Sequence, residues 1–149
     1  MIFNRTLEDV SIAKSLIETK VKKFISLTSE ELDSIERGTL TINTLNRIES
    51  AQKELKEIFI LFGYYGAHIE SKEWEHENVF YKKDLQRIIL NCDTLQKAFF
   101  KKQNTPIAPS PTYDIYCIND IEKIISDLYD MVNEVRSLWA ECGDAESGE

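Results

Sequence analysis

Turn-forming residues are scarce in this sequence, with five Gly and three Pro among 149 residues. That scarcity argues against a turn-rich β fold and for helices, and a 30% charged content agrees with it. Cysteine is also sparse. Cys92, Cys117 and Cys142 are odd in number and form no CxxC, so spacing offers neither a disulfide framework nor a zinc site. Cys92 and Cys142 fall at apolar helical positions, where Cys acts as a small buried hydrophobe. Such usage suits a protein made in a reducing cytosol. Long apolar runs are missing. The most apolar stretch, Ile58 to Tyr65, is far shorter than the ~20 residues of a membrane span. Met1 to Arg5 has no apolar run behind a basic start, which argues against a signal peptide.

Chemical motifs are missing as well. Neither GxGxxG nor GxxxxGK[ST] occurs, so no phosphate-cradling loop is expected. GxSxG is absent. The two histidines, His68 and His76, stand among Glu70, Glu73, Glu75 and Glu77. Imidazole and carboxylate both bind zinc or manganese. The spacing fits no HExxH pattern, and solvated loop charge is the simpler expectation. No cofactor, metal or catalytic residue is therefore expected, and the chain reads as a non-enzyme.

What is present is length, charge and helical periodicity. The length suits one domain, expected over 1–142, with 143–149 a polar tail. The net charge of −8 is unevenly placed. Residues 1–112 carry 16 acidic and 16 basic side chains, whereas 113–149 carry ten acidic and two basic ones. Phosphates would be repelled by that last quarter, so nucleic acid is not an expected partner. A solvated acidic face and a docking surface for a basic partner both remain open.

The periodicity predicts helices in order. Thr6 and Asp9 stand as a capping box, and Leu7, Val10, Ala13, Ile17, Val21 and Phe24 recur as one apolar face ending near Phe24. Thr28 to Glu31 is a second capping box, opening a short helix that Gly38 would stop in the left-handed conformation. Thr39 to Ile42 reads as a β-branched connector, and Asn43 or Thr44 as the cap of a third helix. That helix carries Leu45, Ile48, Gln52, Leu55, Phe59 and Phe62, widened by Ile58, Leu61 and Tyr65, and ends around Gly63 or Gly66. Residues 67–80 have little periodicity and read as a loop with one anchored aromatic, Trp74. A fourth helix from about Lys82 carries Leu85, Ile88, Cys92, Leu95 and Phe99.

Thr105 to Pro111 is proline-rich and expected to run extended as a stiff crossover. Asn119 and Glu122 stand in capping-box register before the last helix. Its stripe is Ile118, Ile121, Ile125, Leu128, Val132, Val135, Trp139 and Cys142, an a/d heptad with steps 3, 4, 3, 4, 3, 4, 3. Such a stripe packs inside a bundle or pairs with copies of itself. The expected fold is all-α: a helical bundle of three to four long helices plus a short helix, with the proline-rich crossover. The candidate partner-binding residues are Tyr64, Tyr65, Trp74, Leu128, Val132, Val135 and Trp139, since Tyr and Trp anchor interfaces as well as cores.

Three stretches carry a family resemblance: Asn4 to Val10 followed by Leu27 to Glu31; Gly38 leading through Ile42 to Glu49; and the proline-rich 106–111 with Ile118 to Ile124 and a Trp-containing end. Together they resemble small structural proteins or domains encoded among the tail genes of Firmicutes phages and prophages. The resemblance spans nearly the whole chain, and 67–80 departs from its pattern. It implies a virion component near the tail tip, baseplate or fibres, made in the host cytoplasm, with other virion proteins or further copies of itself as partners. It implies no catalytic residue. Two other roles fit the residues: a host-surface glycan module using Trp74 with Tyr64 and Tyr65, and a cytosolic assembly chaperone or regulator using the acidic last quarter.

Overall fold

A computed structural model describes residues 1–146. They form five α-helices and, among the described residues, no strand: α1 (Leu7–Thr19), α2 (Ser29–Gly38), α3 (Ile42–Leu61), α4 (Lys82–Ala98) and α5 (Ile115–Glu146). One 3-10 turn, Val21–Lys23, lies between α1 and α2. α5 continues through the first part of the segment expected as a tail, and 147–149 lie outside the described residues.

α3, α4 and α5 share one core. α4 is built as its stripe requires, with Leu85, Ile88, Cys92, Leu95 and Phe99 all buried. They meet Ile48, Leu55 and Phe59 of α3 and Ile121, Ile125, Leu128 and Val132 of α5. Phe59 stacks on Phe99 with centroids 4.4 Å apart. Leu61 and Tyr65, expected to widen the α3 face, are exposed: Leu61 is the last helical residue and lies off the buried face, and Tyr65 follows the exit at Phe62 and the turn through Gly63 at φ 87°.

α1 and α2 pack chiefly on each other. Both capping boxes form: the Asp9 and Glu31 N–H groups donate to Thr6 and Thr28 Oγ1, and their carboxylates accept in return. A charge tie closes each end of the pair: Lys20 to Glu31 at 2.5 Å and Arg37 to Asp9 at 3.1 Å. The α1 stripe is only partly used. Ala13 is buried, while Leu7, Val21 and Phe24 are exposed. α1 stops at Thr19, whose hydroxyl bonds back to the Ser15 carbonyl at 2.7 Å. Phe24 then takes a left-handed φ of 57° and is 98% exposed.

Three further boundaries differ from the sequence reading. Gly38 is the last residue of α2 and keeps a negative φ. Its role is close approach: a Cβ there would sit 2.1 Å from the Asp9 carbonyl oxygen and 2.4 Å from the Ala13 Cβ. α3 is capped by Thr41, whose Oγ1 accepts from the Thr44 N–H, so the β-branched connector already contains the cap. α5 begins four residues before Asn119, with Asp114 accepting from the Cys117 N–H at 2.8 Å. Cys142 is exposed, because α5 has left the core by that point.

Two predictions follow from the α1/α2 pair. Gly38→Ala gains helix propensity of about 1 kcal/mol but forces the helices apart, and should lower stability by about 1–3 kcal/mol net in urea titration. A neutral result would mean the helices do not touch there. The second concerns acid. Hydrogen bonds from the Arg37 side chain and then the Thr6 backbone hold the Asp9 carboxyl below its ordinary value of 3.8. A depressed folded-state pKa stabilises above the unfolded value and loses that effect as pH falls through the folded one. Asp9→Asn should therefore cost about 1 kcal/mol at neutral pH, and its difference from wild type should close as pH drops below 3.8. A pH-independent difference would refute this.

Candidate functional site

α3 places Asn46, Arg47, Glu49 and Gln52 on its inward side, where an all-apolar stripe would be simplest. Two buried carboxylates organise what surrounds them. Glu49 accepts four hydrogen bonds: from Trp74 Nε1 at 2.8 Å, from the Lys72 N–H at 2.6 Å, and from Arg87 Nη2 and Nη1 at 2.6 and 2.7 Å. All its lone-pair sites are met. Its carboxylate also favours the charged form of Arg87, whose pKa is raised.

Glu49 and its neighbours strap 67–80 onto α3 and α4. Asn46 receives the Trp74 N–H at 2.8 Å and donates to the Trp74 carbonyl at 3.0 Å. Asn91 treats Glu70 likewise, at 3.3 and 2.8 Å, and also donates to Gln52 Oε1 at 3.1 Å. Backbone groups of Glu70, Lys72 and Trp74 are thus held in alternation, as in an extended segment. The loop reading of 67–80 missed this, because the bonding partners lie 21 to 28 residues away.

Glu122 of α5 is the second centre. Its Oε2 accepts from Arg5 Nη1 at 2.6 Å and the Ile2 N–H at 2.8 Å. Its Oε1 accepts from Arg47 Nη2 and Nε at 2.7 and 3.2 Å. Burial works against the Arg47 charge, but the bonds to Glu122 and Glu36 outweigh it and its pKa rises. Asn119 clasps the Arg5 backbone, accepting its N–H at 3.1 Å and donating to its carbonyl at 3.0 Å. The pair that resembles a capping box in sequence therefore anchors the N-terminal segment instead.

At both centres the two carboxylate oxygens are already taken up by four donors from the chain itself. Cys92 is inert, its thiol pushed up to about 12 by burial. His68 and His76 are both exposed, and no group of three or more His, Cys, Asp or Glu is placed to hold a metal ion among the described residues. Nor is any helix there long and apolar enough to cross a membrane.

The sequence-selected aromatics do not form one platform. Trp74 is 4% exposed, tilted against Phe80 at 5.5 Å, with Lys72 Nζ 4.0 Å from its ring centroid. Tyr64 is half-buried, edge-on to Phe99 at 5.1 Å. Tyr65 points into solvent. On α5, Leu128 and Val132 lie in the chain's own core, Val135 is half-buried, and Trp139 is 58% exposed. Trp139 touches Phe62, ring centroids 5.3 Å apart. Leu138 beside it is 59% exposed. Exposed apolar residues thus gather on α5 past Val135. No family model, curated protein or solved structure matches the chain.

Glu49→Gln tests the strap. The amide places an NH2 group where four donors converge and leaves Arg87 without its charge partner. Stability should fall by about 3–5 kcal/mol, since breaking one side of a buried pair strands the other. Hydrogen exchange at the Lys72 and Trp74 amides should accelerate with it. Unchanged protection at those amides would show that the strap is held by something else.

Proposed function

We propose that this chain is a non-enzymatic assembly protein of a phage particle, working in the tail region at the tip, baseplate or fibres. The observation that carries the assembly role is the division of the α5 heptad. Through Val132 the stripe fills the core, and beyond Val135 the same helix presents Leu138 and Trp139 to solvent. An exposed Trp beside an exposed Leu on a rigid helix is the kind of anchor interfaces use. The occupant in this reading is a helix of a neighbouring chain in the particle, either another tail protein or a second copy. α3, α4 and α5 act as a bundle that holds the anchor out, and 105–111 serves as the stiff crossover between α4 and α5. The resemblance to tail-gene products supports the particle setting.

The test has two arms. Leu138→Ser with Trp139→Ser should keep the helical far-ultraviolet spectrum and lower the urea midpoint only slightly, because both side chains are more than half exposed and Trp139 gives up only its Phe62 contact. Association should be lost, read by light scattering of the purified chain and by its recovery in particles. Mass spectrometry of purified particles should find the wild-type chain. Its absence there would sink the particle role, and full association by the double variant would sink this anchor.

A further inference from the structure

The 3-10 turn between α1 and α2 ends on a residue ill suited to its conformation. Phe24 stands at φ 57° and is 98% exposed. The Phe24 N–H donates to the Val21 carbonyl at 3.1 Å and the Ile25 N–H to the Lys20 carbonyl at 2.9 Å. That closure is the one in which glycine usually takes the left-handed position. An aromatic side chain there is strained, and its ring is too exposed to gain packing in return. Strain kept in this way clusters at functional positions. Val21 and Ile25 beside it are exposed as well. The turn is also rich in lysine: residues 14–25 carry Lys14, Lys20, Lys22 and Lys23 against one acid, Glu18, and the acids of α2 begin at Glu30. Lys20 is tied to Glu31 and Lys22 to Glu18, whereas Lys14 and Lys23 make no ion pair among the described residues. The end of α5 is the converse. Glu134, Leu138 and Glu141 share one face at spacings of four and three, all exposed, next to Trp139. Residues 134–149 carry five acids and one base, Arg136.

We propose that the Val21–Ile25 turn of one copy is the seat for the Leu138/Trp139 end of α5 of a second copy. Phe24 and Ile25 supply the apolar contact, and Lys23 faces the acids that flank Leu138. The inference rests on the α5 end being an interface, and it names the occupant. The two surfaces are opposite in charge and alike in apolar exposure, which is what steers and then holds a partner. An anionic lipid surface would suit the lysines and Phe24 but would leave the acidic α5 end without a role. The contact is head-to-tail, so each added copy brings a fresh turn and a fresh α5 end, and copies build a ring or a chain. Reach favours it as well. The N-terminal segment is held at Glu122, 17 residues before Trp139 and about 26 Å from it along α5, so the acidic end extends well away from that anchorage.

Light scattering and sedimentation of the purified full chain are the readouts. Wild-type mass should rise with concentration beyond a dimer and fall in high salt, which screens exposed charges. Phe24→Gly with Lys23→Glu should keep helicity and melting temperature, because glycine adopts the left-handed conformation without strain, while association weakens about tenfold or more. The decisive step is mixing. The Phe24→Gly/Lys23→Glu chain keeps a sound α5 end, and the Leu138→Ser/Trp139→Ser chain keeps a sound turn. Neither should associate alone, and the mixture should give a one-to-one complex that grows no further. A monomeric wild type, full association by the turn variant, or no complex in the mixture would each overturn the proposal. Association lost in the Leu138/Trp139 variant but kept in the turn variant would leave the α5 anchor standing and remove only its seat. Wild-type binding to phosphatidylserine vesicles in place of self-association, lost in the turn variant, would assign the turn to a membrane surface instead.

Discussion

A carboxylate moved out of water needs donors enough to replace its hydration, and this chain buries two of them at its structural crossings. Glu122 draws in residues 2–5 through Arg5 and Ile2, and α3 through Arg47, whose other contact is Glu36 of α2. Glu49 draws in 70–74 and α4 through Lys72, Trp74 and Arg87. The two sets meet on adjacent turns of α3, where Asn46, Arg47, Glu49 and Gln52 interrupt the apolar stripe. Apolar packing of α3, α4 and α5 provides burial, which is non-directional. The ion clusters provide direction: each carboxylate has one geometry in which all four donors are met. Residues 1–4 bury little apolar surface of their own, and in 67–80 the buried Trp74 is oriented by its bonds to Glu49 and Asn46, so this polar geometry helps place both segments.

The parts legible in sequence are those whose causes are local. Thr6 with Asp9 and Thr28 with Glu31 cap within three residues, and α4 repeats its apolar face every three or four. The misread parts share a feature. Asn119 and Glu122 have the spacing of a capping box, but the same amide and carboxylate serve partners more than 70 positions away. Gly38 looked like a helix stop, whereas its missing Cβ makes room for Asp9 and Ala13 of another helix. Nothing in the sequence around Asn46 and Asn91 announces that they pair with a backbone strap. Short-range rules read the caps of α1 and α2 correctly and misplaced those of α3 and α5. Long-range hydrogen bonding has no sequence period, so periodicity does not find it.

The same limit applies to α5. Its heptad was visible from end to end, but the point where burial stops was not, because that point depends on the length of the neighbours. At 1.5 Å per residue, α5 with 32 residues runs about 48 Å. α3 with 20 and α4 with 17 span only about 30 and 26 Å. The longer helix outruns its own core, so one unbroken stripe serves both the interior and solvent. Leu128 and Trp139 are equivalent in pattern and opposite in environment.

Charge along the chain has a related explanation. The last 37 residues hold ten acidic and two basic side chains, while the rest is balanced. Read as surface, that is an acidic face. In the fold, the two acids of α5 most buried among the described residues take up partners from elsewhere: Glu122 takes Arg5 and Arg47, and Asp127 takes Lys102 at 3.9 Å and accepts from the Thr105 hydroxyl at 2.8 Å, beside Lys123 of its own helix at 2.6 Å. Asp130 pairs with Lys102 at 2.6 Å. Part of the asymmetry is thus complementarity between α5 and the segments that fold onto it. Past Val135, α5 exposes Leu138 and Trp139 flanked by Glu134, Arg136 and Glu141, an apolar pair with a mixed and mildly acidic rim. In the proposed assembly role, fit at the centre of such a surface would select the partner and charge at the rim would set orientation.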